Sequence, residues 1–276
     1  MFDRGVPFRL NSHVRRVVAP NPGVMTGPGT NTYLLGNEAV AVLDPGPAEQ
    51  SHIDAILDAA GDRIRWIVVT HTHPDHSPAW KAIAEATGAR VMGGAPPDDM
   101  FQDETFAPDQ VLIHDDVLTT QEFTLRAVHT PGHVGNHFCF FLEEEHMMFA
   151  GDHIMNGSTV VIIPPSGDMK AYIESLQLLM KYPLQYIAPG HGDVIHDSAA
   201  EVENLIRHRL GREQKVVDGL HQLRRATLDQ LVEVVYDDVA TSLHKMAKLS
   251  LNAHLIKLRQ ENRAVQHEAD DTWEMI

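Results

Sequence analysis

The chain has 276 residues, of which 43% are hydrophobic and 22% charged, and these proportions exclude a disordered or low-complexity protein. Its formal net charge is −16, and residues 1–200 carry −14 of it (25 Asp and Glu against 11 Lys and Arg), which disfavours nonspecific binding to nucleic acid. Cys139 is the only cysteine, so no intramolecular disulfide can form. Residues 1–10 lack the uninterrupted apolar core of a signal peptide, and no stretch approaches the roughly 18 apolar residues that a membrane span needs. We therefore predict a cytoplasmic protein without a membrane span.

The first two thirds of the chain predict alternating strands and helices. Residues 14–46 have the pattern of strands joined by hairpins, 51–60 that of a helix, and 63–70 that of a buried strand. Ser77 and Pro78 then predict a helix that begins with Ser77 as its N-cap and ends near Thr87. Further strands are expected at 123–129, 138–142, 147–150 and 184–187, and a helix at 169–181.

From residue 200 onward the pattern changes to helices. They are expected at 201–220, 227–236 and 243–259, followed by a turn and a short strand. This change predicts a catalytic domain at 1–200 and a small helical domain with a wing at 201–276.

A metal-binding motif, His-Thr-His-Pro-Asp-His, directly follows the strand expected at 63–70. Alternate residues of an extended chain point the same way, so His71 and His73 can offer their imidazoles to one metal ion. Asp75 and His76 come from the following turn and can reach a second ion nearby. The motif therefore predicts a site for two metal ions.

Three further potential ligands stand where an expected strand ends and a glycine-containing loop begins: His133, Asp152 and His191. Ligands gather at the carboxyl ends of strands in open α/β sheets, so these loops can converge on one site. Nitrogen and oxygen donors of this kind suit zinc, and iron or manganese would also accept them. The expected assignment is His71, His73 and His133 to the first ion, Asp75, His76 and His191 to the second, with Asp152 bridging.

These motifs resemble those of the metallo-β-lactamase superfamily. The resemblance implies an α/β fold, a four-layer αβ/βα sandwich, with a dinuclear metal site. The segments 20–23, 29–36, 208–209 and 212–213 resemble a narrower group, the beta-lactamase-like protein 2 family. Residues 231–236 and 253–258 resemble that family's small C-terminal winged-helix-like domain. The family and its neighbours include single-strand-specific ribonucleases and thioesterases acting on carrier-bound acyl chains.

The expected chemistry is hydrolysis by a metal-activated water. Two close cations lower the pKa of a bridging water from about 15.7 to about 7, and Asp75 is the catalytic carboxylate expected to orient it. Asp44 resembles a family carboxylate that supports the metal loops, and turn capping is its alternative role. His137 matches a family position near the pocket, and a hydrogen-bonded structural histidine is the alternative there.

Three functions remain open from the sequence. The favoured one is hydrolysis of a thioester, ester or lactone in a small acyl substrate, because an acidic catalytic part repels polyanions. The second is single-stranded RNA cleavage, aided by a basic helix with Lys245, Lys248, Lys257 and Arg259, although a solvated helix face explains these residues more simply. The third is a metal-loaded binding protein without catalysis. The sequence leaves the oligomeric state open.

Overall fold

The computed structural model describes residues 2–99 and 101–276, which divide into two compact units. The first unit comprises Met1–Thr130, Asn136–Ser158 and Pro183–Ala199. The second comprises Pro131–Gly135, Thr159–Tyr182 and Ala200–Ile276. Besides the C-terminal region, the second unit thus takes two internal segments that the sequence had assigned to the catalytic domain. Domains at 1–200 and 201–276 stay a proposal.

The first unit contains a sheet that is antiparallel at one side and parallel at the other. Neighbours from β1 to β4 pair antiparallel, and neighbours from β4 to β7 pair parallel. The strands expected within 14–46 and 63–70 are confirmed, whereas β1, β6 and β7 were not predicted. In spatial order the strands are β1 (Phe8–Arg9), β2 (Val14–Val18), β3 (Asn31–Leu35), β4 (Val40–Leu43), β5 (Ile64–Val68), β6 (Arg90–Gly93) and β7 (Gln110–Val111).

A second sheet completes this unit. Its last two strands along the chain pair parallel and the others antiparallel. Three of its strands were expected almost at these bounds, the last begins two residues later than predicted, and the short β8 was missed. In spatial order they are β12 (Tyr186–Pro189), β11 (Met147–Gly151), β10 (Phe138–Leu142), β9 (Thr124–His129) and β8 (Val117–Thr119).

The two sheets share one hydrophobic core. Tyr33 and Leu43 of the first sheet and Phe140 and Phe149 of the second are buried in it. The rings of Tyr33 and Phe149 lie 4.9 Å apart between centroids in a tilted arrangement, which is favourable for aromatic pairs. Burial of these large apolar side chains fixes the position of each strand end relative to the others.

Two helices cover the other face of the first sheet: α1 (Gln50–Ala60) and α2 (Trp80–Thr87). Ile56 and Ile83 of these helices pack with Ile67 of β5 in a second buried cluster. Both faces of this sheet are therefore buried at β4, which explains why this strand is a continuous apolar run rather than an alternating one.

The predicted start of α2 is wrong. The helix begins at Trp80 with Ala79 as its N-cap, and Trp80 N–H donates to the Ser77 carbonyl oxygen over 2.9 Å in the preceding turn. The Ser77 hydroxyl donates instead to Oδ2 of Asp103 at 2.8 Å. Because its side chain is engaged there, Ser77 does not cap the helix.

The second unit is mainly helical. Leu231, Val235, Leu255 and Trp273 are buried in its core, and Thr227 forms the capping box of α5, whose start was predicted there. A small antiparallel sheet, in the order β13, β15, β14, forms beside these helices. Within the described ranges, no helix combines the length and apolar character needed to cross a membrane. The elements are α3 (Met169–Leu179), α4 (Ser198–Leu223), β13 (Arg225–Ala226), α5 (Leu228–Val235), α6 (His244–Gln260), β14 (Ala264–His267) and β15 (Thr272–Met275).

The interpretation of α6 as a solvated basic face is wrong at Lys257. This side chain is buried, and its Nζ lies 2.7 Å from Glu213 and 2.8 Å from Glu261. Its charge is compensated inside the unit and is not presented to a ligand. Lys248 makes an exposed ion pair with Asp229.

Candidate metal centre

The candidate ligands follow strands that end side by side. Parallel strands β4 and β5 are followed by Asp44 and by the motif 71–76. Parallel strands β11 and β12 are followed by Asp152 and His191. Parallel strands bring their carboxyl ends to one edge of a sheet, which is where the sequence placed the site.

His71, His76 and Asp152 form the first cluster. One donor atom from each lies within 4.8 Å of the others, an arrangement that can hold a metal ion. His76 Nε2 lies 3.3 Å from Asp152 Oδ1. The neighbouring His73 also turns inward, because its Nδ1 lies 3.0 Å from His71 Nε2. The predicted alternation of the motif is thus present in the side chains.

Asp75, His76 and His191 form the second cluster, again with donor atoms within 4.8 Å of one another. His191 Nε2 lies 3.2 Å from Asp75 Oδ2 and 3.3 Å from Asp152 Oδ1. Asp152 Oδ1 therefore faces the imidazoles of both His76 and His191. This position fits a ligand of the second ion, and the bridging role of Asp152 stays a prediction.

Two glycines allow these loops to approach. A Cβ at Gly190 would lie 2.7 Å from His76 Cε1 and 2.8 Å from Asp152 Oδ1. A Cβ at Gly151, which has a φ of 46°, would lie 2.6 Å from Thr70 Oγ1. No larger residue fits at either place without displacing a ligand or its support.

Asp44 supports the motif from beneath. Its Oδ1 accepts the Thr70 backbone N–H at 2.7 Å, and its Oδ2 accepts the Thr70 hydroxyl at 2.8 Å. Oδ2 also lies 3.0 Å from His76 Nδ1. A carboxylate in this position favours the tautomer with a proton on Nδ1, which leaves Nε2 of His76 for a metal. These contacts favour the supporting role over simple turn capping.

Thr30 and Asn31 also contact the site. The sequence indicates them only as members of the segment 29–36, and it does not predict these contacts. The Thr30 hydroxyl donates to Asp75 Oδ2 at 3.3 Å. The Asn31 amide donates to the carbonyl oxygens of Pro189 and Gly192, both at 2.9 Å, and so holds the loop that carries His191. Their signal was three adjacent polar residues, Thr-Asn-Thr, beside an apolar strand.

His137 is buried beside the first cluster. Its ring centroid lies 5.1 Å from that of His71, and its Nδ1 lies 3.0 Å from the Thr130 hydroxyl oxygen. It follows that this residue packs against a candidate ligand without belonging to either cluster described above.

His133 belongs to the second unit, in the segment Pro131–Gly135. Its Nδ1 lies 3.0 Å from the carbonyl oxygen of Val161, which requires the proton on Nδ1 and leaves Nε2 as the available ligand atom. Its place beside His71 and His73 stays a prediction.

Comparison with known protein families identifies the superfamily to which the chain belongs. The metallo-beta-lactamase superfamily matches residues 25–191. The chain belongs to this superfamily. The beta-lactamase associated winged helix domain matches residues 227–273. The expected fold class, α/β with a C-terminal winged helix, is thereby confirmed.

Individual relatives agree with this assignment. The Beta-lactamase-like protein 2 homolog of Drosophila melanogaster is 34% identical over 95% of this chain and 94% of that protein. The Atrochrysone carboxyl ACP thioesterase of Aspergillus chevalieri is 31% identical over 87% of this chain and 78% of that protein. A metallo-beta-lactamase family protein from Thermus thermophilus shares the fold, with a TM-score of 0.78 and 21% identity over 97% of this chain and 100% of that chain. The chain is thus an enzyme, a metallo-β-lactamase-like hydrolase.

The charges within the candidate metal centre favour a bound cation, as the pKa values of its histidines indicate. Burial opposes the charged form of His76, but Asp75 and Asp152 outweigh burial and hold its pKa well above the ordinary value. Burial also opposes the charge of His191, whose pKa the carboxylate of Asp152 raises to about 9. Burial and then the charge of His76 lower the pKa of His71 well below its ordinary value.

The donor set fits the divalent ions that this superfamily generally binds. The buried Asp152 and the partly buried Asp75 face the imidazoles of His76 and His191, whose raised pKa values favour protons on these rings when no metal is bound. Burial alone would raise the pKa of Asp75, yet His76 lowers it to about 2, so this carboxylate is ionised. A divalent cation would take the place of those protons, because imidazoles must be neutral to bind a metal.

Proposed function

We propose that the chain is a dinuclear metal-dependent hydrolase, with zinc as the expected metal and iron or manganese as alternatives. The observation that carries the proposal is the convergence of three imidazoles and two carboxylates, which are more protein ligands than one catalytic zinc ion takes. Nitrogen and oxygen donors together suit these three metals. The proposed ligands are His71, His73, Asp75, His76, His133, Asp152 and His191.

The residues around the site have separate roles in the proposed hydrolysis. When bound, divalent ions would supply a Lewis acid and a water of lowered pKa. Asp75 accepts the hydrogen bond that orients the attacking water, and Thr30 holds this carboxylate in place. Asp44 keeps His76 in one tautomer, as its contact with Nδ1 requires.

We further propose a thioester, ester or lactone as the substrate class. The charge of −14 on residues 1–200 opposes the approach of a polyanion but not that of a weakly charged acyl compound. The relative from Aspergillus chevalieri, the Atrochrysone carboxyl ACP thioesterase, is named for thioester hydrolysis and supports the same class. The nuclease alternative is weakened, because Lys257 is engaged inside the second unit. A cytoplasmic location stays a prediction.

The test combines metal analysis with an activity assay. Purified protein reconstituted at neutral pH is expected to hold close to two ions per chain and to hydrolyse an acyl thioester. Asp152→Ala should lose at least one ion and most of the activity while its circular dichroism spectrum stays that of the wild type. Asp54→Ala is the matched control, because Asp54 is exposed on α1, where its Oδ1 accepts a hydrogen bond from the Gln50 side chain. Metal at trace level after reconstitution, or normal turnover by Asp152→Ala, would contradict the proposal.

A further inference from the structure

The loop between β6 and β7 carries two buried polar side chains that the mechanism above does not use. Gln102 is 8% exposed and Asp103 is 7% exposed. Burying an amide and a carboxylate is costly unless each is hydrogen-bonded. The hydrogen-bond partners of these two side chains therefore indicate what they stabilise. Two of the partners, Thr72 and Ser77, lie in or directly after the metal-binding motif.

Gln102 contacts the motif at Thr72. The Thr72 hydroxyl donates to Gln102 Oε1 and accepts a hydrogen bond from the amide of Asn136 at 2.8 Å. Thr72 stands between His71 and His73, and side chains of an extended chain alternate in direction. Holding the Thr72 side chain on one side thus fixes the direction in which both imidazoles point.

Asp103 contacts the chain at Thr72, within the motif, and at Ser77, directly after it. Its backbone N–H donates to the Thr72 carbonyl oxygen at 2.6 Å, and its Oδ2 accepts the Ser77 hydroxyl at 2.8 Å. Its Oδ1 accepts the Thr105 backbone N–H at 3.0 Å and also the Thr105 hydroxyl. The residues between Thr72 and Ser77 include three of the candidate ligands, so Asp103 holds this segment at both ends, with its backbone N–H at Thr72 and its carboxylate at Ser77.

We propose that Gln102 and Asp103 are positioning residues for metal binding, which they support by holding Thr72 and Ser77. This inference rests on the proposed function. Groups that orient metal ligands through hydrogen bonds typically contribute about 10–100-fold to metal affinity. A purely structural role would instead lower stability without changing metal affinity or ligand geometry.

Glu122 offers a matched control for that structural role. Its carboxylate accepts the backbone N–H groups of Asn37, Glu38 and Ala39 in the same unit. None of these residues is a candidate ligand or a neighbour of one in the sequence. Glu122→Ala therefore removes a carboxylate and the hydrogen bonds that it accepts, and it leaves the contacts of the metal-binding motif unchanged.

The experiment compares four variants: Thr72→Val, Thr72→Ser, Asp103→Ala and Glu122→Ala. Zinc affinity is measured by competition with a chelator, the visible absorption of the cobalt-loaded protein reports ligand geometry, and the melting temperature is measured without metal. Thr72→Val and Asp103→Ala are expected to bind zinc about 10–100-fold more weakly and to change the cobalt spectrum. Thr72→Ser keeps the hydroxyl and should restore both properties, and Glu122→Ala should lower only the melting temperature.

The outcomes separate this inference from the proposed function. Wild-type protein that binds none of zinc, iron and manganese would overturn both. Wild-type protein that binds zinc normally, together with unchanged affinity and spectrum in Thr72→Val, would overturn the positioning role alone. The same holds if Glu122→Ala weakens zinc binding as much as Asp103→Ala. Should Asp103→Ala fail to fold, the nearly isosteric pair Thr72→Val and Thr72→Ser still decides the question.

Discussion

Gly190 is the residue whose identity the metal centre restricts most directly. It lies at the end of β12, where a Cβ would overlap both His76 and Asp152 at less than 3 Å. Because Gly190 has no side chain, its loop can approach His76 and Asp152 closely, and His191 can then contact the Asp152 carboxylate. The sequence offered only the pattern Pro-Gly-His-Gly, which is equally compatible with an ordinary turn.

Gly190→Ala is therefore expected to weaken metal binding at least tenfold, because the added methyl group must displace His76 or Asp152. Isothermal titration of metal-free protein with zinc measures the effect. Gly211→Ala is the control, since a Cβ at this exposed position of α4 meets nothing within 4 Å. It should leave metal binding unchanged and stabilise the helix by about 0.5–1 kcal/mol. Equal zinc affinity in Gly190→Ala and the wild type would refute the close-approach argument.

Single residues also mark the limit of sequence reasoning at the site. The motif at 71–76 could be predicted because its donors are adjacent and their spacing matches strand geometry. Asp44 was found only through the family resemblance. Gln102 and Asp103 could not be found, because their role depends on a contact between loops about 30 residues apart that no local pattern encodes.

At the level of elements, long periodic segments were predicted well and short ones were not. The helices α4 and α6 have enough turns for a period to be recognised, and both were expected within a few residues of their bounds. Strands such as β7 and β13 have two residues each, too few for any alternation. The period of α6 also could not tell which of its lysines is buried.

The burial of Lys257 gives a prediction for α4 and α6. Lys257→Ala is expected to lower the free energy of unfolding by about 2 kcal/mol, because it removes the ammonium group that lies 2.7 Å from the buried Glu213 carboxylate, while Arg263 keeps its own contact with Glu213. Lys248→Ala breaks an exposed ion pair with Asp229 and should change the free energy of unfolding by less than about 1 kcal/mol. Urea denaturation measures both values. Similar values for the two variants would mean that the buried ion pair contributes no more than the exposed one.

On the scale of the whole molecule, charge rather than fold separates the candidate substrates. A metal-activated water attacks carbon or phosphorus alike, and a fold does not by itself imply one reaction. The net charge of −16 nevertheless creates a field that repels an RNA strand and leaves a small acyl thioester unaffected. Salt screens that field, so the two substrate classes should respond differently to ionic strength.

We therefore expect acyl thioester hydrolysis to exceed cleavage of single-stranded RNA at physiological salt and to change little across a salt series. The comparison uses wild-type protein and the double variant Lys245→Ala/Lys248→Ala, since Lys257 is engaged inside its unit. If the two lysines bound phosphates, their removal would lower the salt slope of RNA binding by about 0.7 for each contact. Efficient RNA cleavage that depends steeply on salt, requires both lysines and is lost in Asp152→Ala would reverse the ranking. In that case local lysines, rather than the overall charge, would determine which substrate reaches the metal centre.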